Sequence, residues 1–459
     1  MAQSRKKTNS MNIVYIALMM TFVCLGSCTN DDIEAPPPDV GFIEESNIET
    51  LPLEELLTTV QEQTFKYFWD FAEPNSGLAR ETSKENAFGG GDEALNIVTI
   101  GGSGFGIACF PAAVERSWIT RDEAITRMDK ILTFLENAET YKGVFSHWYF
   151  GDSGITRPFS ELDNGGDLVE TALLIQGLLI NRQYFSENNE AETSIRNRIT
   201  AIWEAVQWDF HERGQNVLTW HWSPENEFAI DLKIQGWNEG LIVYVLAAAS
   251  PTYPIEKITY DNGWAGNGEM INGNTYVGTE LPLGEPFGGP LFFAHYSFIG
   301  LNPTNLSDQY ANYFEQNRAH SLINYEYCKN NPNDYKGYSD ESWGLTASDN
   351  YQGYSAHSPN NDLGVITPTA ALSSFPFTPQ ESTRALEHFY YDKNEDLWGP
   401  YGFYDAFSEE FDWVADGYLA IDQGPIVAMI ENYRSQLLWD LFMQDTDIQN
   451  GLDLLQFNY

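Results

Sequence analysis

The sequence predicts an all-α protein, an (α/α)6 barrel (toroid) with long loops and a small hairpin at one end. Three observations predict it. Helical segments of two kinds alternate along the chain, six amphipathic and six apolar nearly all round. The links running from an apolar segment to the next amphipathic one are short. Those running the other way are long and rich in Asp, Glu, His, Trp and Tyr. An amphipathic helix buries one stripe and an all-apolar helix is buried on every side. Strict alternation therefore describes an inner ring wrapped by an outer one, whereas a plain bundle would make every helix amphipathic.

Taken in order, the first amphipathic segment covers residues 51–72. Thr120 and Glu123 make a capping box for the second, and Ile125, Met128, Leu132 and Leu135 then share one stripe. Ile195, Ile199, Ile202 and Val206 repeat that spacing, residues 307–329 and 378–391 belong to the same class, and 255–260 is a short member. The apolar members start near Gly104, Asp167, Asn238, Gly289, Thr367 and Asp422. Short links fall at 117–120 and 250–254. The long ones run over 77–103, 141–166, 211–237, 261–288, 331–366 and 392–421. Long loops on a rigid scaffold carry function, and all of these emerge at the end where inner helices begin. In one of them, Met270-Ile271-Asn272-Gly273-Asn274-Thr275-Tyr276-Val277 predicts a hairpin around an Asn-Gly turn. Gly101-Gly102-Ser103-Gly104-Phe105-Gly106 follows no βαβ unit and carries no Lys, so it predicts close helix packing rather than a phosphate loop.

Ahead of the barrel, Arg5, Lys6 and Lys7 precede an apolar run at 13–23 that is too short for a membrane span. The run ends in Leu25-Gly26-Ser27-Cys28, which resembles the bacterial lipobox. The expectation is a lipoprotein signal peptide at 1–27, lipidation at Cys28, an acidic and Pro-rich tether at 28–48, and a single catalytic domain at 49–459. An ordinary secretory signal is the alternative. Asp31-Asp32-Ile33-Glu34 resembles the surface-export signal of Bacteroidetes lipoproteins, so an outer-membrane anchor on the periplasmic face or the cell surface is expected.

A net charge of −42 repels nucleic acid, anionic lipid and polyuronates, which leaves a neutral partner and membrane contact only through the anchor. A monomer is expected. On this expectation Cys24 leaves with the signal and Cys28 carries the lipid, so only Cys109 and Cys328 remain, and their pairing stays open. Cys-rich zinc spacing is absent. The acidic run Asp392-Lys393-Asn394-Glu395-Asp396 lacks the glycine and glutamate of a calcium loop, with Leu397 and Phe403 in their places. No metal or cofactor is expected.

The loops carry Trp148, Trp220, Trp222, Trp237, Trp264, Trp343, Trp398, Tyr401 and Tyr404. Sugar rings stack apolar C–H faces on such side chains; the same residues also serve simply to pack loops on a barrel rim. Glycoside hydrolysis needs one protonated carboxyl and one carboxylate. Asp163 with Asp167, Glu239 and Asp422 stand beside inner-helix starts and are the candidates. Each also reads as a helix cap or first-turn acid, a cap being worth about 0.5–2 kcal/mol. The helix field favours an ionised Asp422, which suits a base, while Glu239 needs desolvation, for instance against Trp237, to keep its proton. His147, His357 and His221 bind hydroxyls or serve as loop histidines. These residues fit a glycosidase acting on a neutral glycan. The alternatives are a non-catalytic surface glycan-binding lipoprotein, which needs the aromatics but not spaced carboxyls, and a glucosidase on another neutral glucan.

The run from His147-Trp148 through Asp163-Asn164-Gly165-Gly166-Asp167-Leu168-Val169-Glu170-Thr171, then Trp237-Asn238-Glu239-Gly240, Leu281-Pro282-Leu283-Gly284 and Gly289-Pro290-Leu291-Phe292, resembles the bacterial glucoamylase-like domain of glycoside hydrolase family 144. The resemblance spans about residues 51–441. It implies an (α/α)6 barrel that hydrolyses β-1,2-glucan with anomeric inversion, by endo action or by releasing sophorose. It further implies Glu239 as the acid, with Asp163 and Asp167 binding the cleaved sugar or assisting catalysis. Asp422 is assigned to the base side, and His147, Trp148, Glu170, Trp237, His357 and Tyr401 form the expected substrate-binding set.

Overall fold

The computed structural model describes residues 50–459, so the signal peptide, the tether and Cys28 lie outside the described residues. Residues 51–459 form one unit. Among the described residues no helix is long and apolar enough to cross a membrane.

The outer ring comprises Leu53–Trp69, Arg121–Asn137, Glu190–Ala205, Lys257–Thr259 with a π-turn continuing to Trp264, Tyr313–Asn330, and Pro379–Glu387. The capping box of Thr120 and Glu123 is formed. Met128, Leu132 and Leu135 are buried, as are Ile195, Ile199, Ile202 and Val206. The inner ring comprises Ile100–Ala108, Leu168–Tyr184, Leu241–Ala249, a pair of 3-10 turns at Leu291–Ala294 and Tyr296–Ile299, Pro368–Leu372 and Ala420–Ser435. Ile100–Ala108 and Leu241–Ala249 are buried at every residue, as apolar helices must be. The first four inner segments pack in chain order, Pro368–Leu372 packs on Ala420–Ser435, and Ile100–Ala108 also packs on Ala420–Ser435, which closes the ring. The His295 ring nitrogen Nε2, 3.0 Å from Ser374 Oγ, links the fourth and fifth inner segments.

Glycine sets the tightest spacing in this ring. A Cβ on Gly104 would meet Leu173 O at 2.4 Å, and one on Gly177 would meet Gly104 O at 2.1 Å. The first two inner helices therefore touch backbone to backbone, as expected for the glycine run. That run lies inside its helix, which consequently starts at Ile100, before the expected Gly104.

Three expectations need correction. The fourth inner segment is not an α-helix. With Gly289-Pro290 ahead and Gly300 behind, it is too short to nucleate one, and the packing of Phe292, Tyr296 and Phe298 settles for i→i+3 turns. The hairpin exists, pairing Ile271–Tyr276 with Thr279–Leu283, but its turn is Val277-Gly278. Both of those residues take positive φ, 44° and 91°, as a two-residue hairpin turn requires. Asn272-Gly273 instead sits at a bulge inside the first strand, where the register shifts. Two further helices, Leu437–Met443 and Thr446–Leu455, were not anticipated. The second packs under the C-terminal end of Leu241–Ala249, with Gly451 against Ala249, and so covers the end of the barrel away from the long loops. Cys109 and Cys328 are both free and buried.

Candidate active site

The second inner helix begins at Asp167, whose Oδ1 accepts the Val169 and Glu170 N–H groups at 3.0 and 2.9 Å. Capping uses only that oxygen. The other, Oδ2, lies 3.3 Å from His147 Nδ1. Glu170, one turn on, accepts the Gly101 N–H at 2.6 Å through Oε2 and places Oε1 3.9 Å from His147 Nε2. His147 thus bridges two carboxylates. Burial opposes its charge, but Glu170, Asp167 and Glu81 together hold the imidazolium, pushed up to about 10. Glu170 itself is pushed up to about 7 by desolvation, with His147 pulling it down and Asp167 pushing it up. Asp163 is raised to about 6 by burial and the charge of Asp167, and its Oδ1 lies 3.2 Å from His221 Nε2.

One ligand atom each from His147, Asp163 and Asp167 falls within 4.8 Å of the others, a spacing a cation could use. With His147 between Asp167 and Glu170, the same cluster also offers hydrogen-bonding groups to a hydroxyl.

Glu239 stands just ahead of the third inner helix. Asn238 Oδ1 accepts the Gly240 N–H at 2.8 Å, and Ser297 Oγ donates to the Glu239 carbonyl at 2.6 Å, which fixes the backbone on both sides. Desolvation pushes its carboxyl up to about 7, its own backbone N–H opposes, and Asp167 adds to the rise. A carboxyl that keeps its proton near neutrality is what acid catalysis needs. Trp237 is not placed to face a sugar. It is 6% exposed, packs on Trp264, Tyr313 and Phe298, and its Nε1 donates to His320 Nδ1 at 3.4 Å.

The last inner helix brings Asp422 in its first turn, 2% exposed. The helix field alone would favour its ionised form, but burial and then the charges of Asp405, Asp349 and Glu81 raise it well above the carboxylate range. Asp405 is buried beside it and raised to about 7, first by desolvation and then by Asp349. Asp405 Oδ2 accepts the Asp349 N–H at 2.7 Å, and Lys84 Nζ lies 2.6 Å from Asp349 Oδ2 and 3.1 Å from Asp416 Oδ1. The Tyr296 phenol, from the fourth inner segment, is buried where Asp422, Tyr354, Glu239 and Glu170 all act on it through their charges. The acidic groups heading separate inner segments therefore converge on one mouth of the barrel.

Around that mouth Trp148 packs with Phe88 and Phe159 at 4.8 and 4.7 Å between ring centres, under the Arg157 guanidinium. Phe159 is 48% and Tyr354 59% exposed, so both offer ring faces to solvent. Two expected members are packed into protein instead. His357 is buried with neither ring nitrogen hydrogen-bonded, and burial lowers it to about 4 against the pull of Asp362. Tyr401 packs with Tyr67, Phe71 and Tyr418 in a seam beside the first outer helix. The structure brings together His147, Trp148, Asp163, Asp167, Glu170, Glu239 and Asp422, and leaves out Trp237, His357 and Tyr401. Sequence reasoning missed Glu81, Asp349, Asp405 and Tyr296. None of the three acids starts a helix. They reach the site through long-range loop pairings such as Thr82 with Leu419 and Ile366 with Phe407, which no local pattern announces.

A family model described as “Putative glucoamylase” matches residues 231–446. An exo β-1,2-glucooligosaccharide sophorohydrolase (non-reducing end) of Parabacteroides distasonis is 44% identical over 425 residues, which is 88% of this chain. The chain spans only 58% of the length of that curated relative. Among solved structures, the endo-β-1,2-glucanase of Chitinophaga pinensis, in complex with sophorotriose and glucose, matches with a TM-score of 0.87 and 49% identity. The match covers 89% of this chain and 99% of that one. A Bacteroides uniformis structure that carries the glucoamylase description matches with a TM-score of 0.86 and 51% identity over 89% of this chain and 98% of its own.

Proposed function

Because this chain belongs to the bacterial glucoamylase-like family, glycoside hydrolase family 144, we propose that it hydrolyses β-1,2-glucan or its oligosaccharides by carboxyl acid/base catalysis. The observation that carries the reading is the meeting of Glu239 and Asp422, from different inner segments, around Tyr296 at one mouth. Glu239 keeps a proton near neutral pH and donates it to the departing glycosidic oxygen. Asp422 accepts a proton from the attacking water. Asp163, Asp167, Glu170 and His147 bind hydroxyls of the cleaved sugar, and Trp148 supports that wall.

The test is release of reducing ends from linear β-1,2-glucan. Glu239→Gln is expected to lower kcat by about 10²–10⁴-fold, the usual worth of a general acid. Equal activity in the two proteins would remove Glu239 from catalysis, and none in either would favour glycan capture. Inversion is part of the proposal: the first product should carry the α-anomer by NMR, and a β-anomer would refute it. Chromatography separates the two modes of action, with sophorose alone marking exo cleavage and a ladder marking endo cleavage. The same reading places the protein as a monomer on the outer membrane through lipid at Cys28, with a neutral glucan as partner. Cys28→Ser should move it from the membrane fraction to the soluble one, and an unchanged distribution would reject the anchor.

A further inference from the structure

We propose that Asp405 is a positioning residue for the base: it and Asp422 hold one proton between them, and that proton keeps Asp422 ready to take another from water. This rests on the role given to Asp422 above. Asp405 is 4% exposed and Asp422 2%. Asp405 Oδ1 and Asp422 Oδ2 are both buried with no donor in reach, while the two side chains are in hydrogen-bonding contact with each other. Two neighbouring buried carboxyls, each with one oxygen that has no donor, are both satisfied by a single proton held between them.

The surroundings fix this arrangement. Asp405 cannot turn away, because its Oδ2 is committed to the Asp349 N–H. Glu81 and Asp349 add negative charge from two other loops, and both disfavour a second charge on the pair. Lys84 binds Asp349 and Asp416 and reaches Asp405 only through space. The Tyr296 phenol, buried near Asp422, carries no charge of its own.

The proton balance follows. The attacking water gives a proton to Asp422 Oδ1 as its oxygen bonds the anomeric carbon. Asp422 Oδ2 releases the shared proton to Asp405. The glycosidic C–O bond breaks, and the leaving oxygen takes the proton of Glu239. The pair goes from one proton to two while Glu239 goes from one to none.

The experiment compares Asp405→Asn with Asp405→Ala in pH–rate profiles on β-1,2-glucan. A carboxamide can still accept the Asp349 N–H and donates permanently to Asp422, so Asp405→Asn should keep kcat within about tenfold. Asp405→Ala leaves Asp422 without a donor beside Glu81 and Asp349. Asp422 then takes up a proton, the acid limb moves to higher pH, and kcat at neutral pH falls by about 10²-fold. An alanine variant with the wild-type profile, or an asparagine variant as impaired as alanine while both unfold cooperatively, overturns the proposal. Infrared spectra give a measure independent of substrate. The difference between wild type and Asp405→Asn at pH 7 should contain a protonated-carboxyl C=O band, and its absence overturns the shared proton. That band in a protein that leaves β-1,2-glucan intact upholds the shared proton and refutes the functional reading instead.

Discussion

Asp163, Asp167 and Glu170 crowd around an imidazolium, whereas Asp405 and Asp422 crowd against each other. The first cluster is fed by donors: His147 between two carboxylates, the first-turn amides on Asp167, and the Gly101 amide on Glu170. The second has its nearest cation, Lys84, occupied by Asp349 and Asp416. One region therefore offsets its acids with a cation in contact, although Glu170 is still raised to about 7, and the other stores protons with no cation touching the pair. The same residue type, placed at the same kind of helix start, does different work because of what stands next to it.

Replacing the cation of the first cluster should have the largest effect. His147→Leu strands buried carboxylates and is expected to cost about 3–5 kcal/mol of unfolding free energy at pH 7. The cost should be smaller at pH 5, where the carboxyls can take up protons, and chemical denaturation at both pH values checks this. If the loss is the same at both, His147 acts through packing and the contrast between clusters fails.

A second measurement sharpens the proton-storing side. The unfolded carboxyls titrate near 4, and Asp405 and Asp422 are raised above that, Asp405 to about 7. The folded state thus binds more protons, so stability is greatest on the acid side and declines as pH rises through about 7. His147, raised to about 10, acts in the same sense at higher pH, since its contribution is complete below about 6.5 and is lost as pH climbs toward 10. Asp405→Asn should flatten the fall between pH 5 and 8 by up to about 1.4 kcal/mol per pH unit, one proton's worth. A slope equal to that of wild type would mean the pair binds no extra proton.

The smallest effect is expected at Lys84. Its ion pairs are partly solvated, so Lys84→Met should change stability by less than about 1 kcal/mol. A loss as large as that of His147→Leu would make the two clusters alike after all.

Much of the scaffold was legible because its signals are local. The stripe from Met128 to Leu135, the capping box at Thr120 and the all-apolar run of Leu241–Ala249 follow from spacing alone. Asp167, Glu239 and Asp422 were legible for the same reason, since each heads an inner helix. Local signals failed where two of them competed. Asn272-Gly273 has the better turn sequence, yet Val277-Gly278 makes the turn, because Leu281 and Leu283 pair inward only in that register. Trp237 and Tyr401 carry the residue type that binds sugars, but their neighbours are other aromatics, and type alone cannot tell stacking on a ligand from stacking on a wall. Asp405 was invisible because nothing beside it in the chain marks it; its partners come from residues 349 and 422.

The bare contact between Gly104 and Gly177 has a reach beyond packing. It acts as the spacer gauge for the first two inner helices, and the Gly101 amide that grips Glu170 rides on one of them. A single methyl inserted at Gly104, within about one turn of Gly101, would prise that grip open without touching any acidic side chain. Mutations in this seam should therefore pass for damage to the chemistry, although the affected residues never meet a sugar.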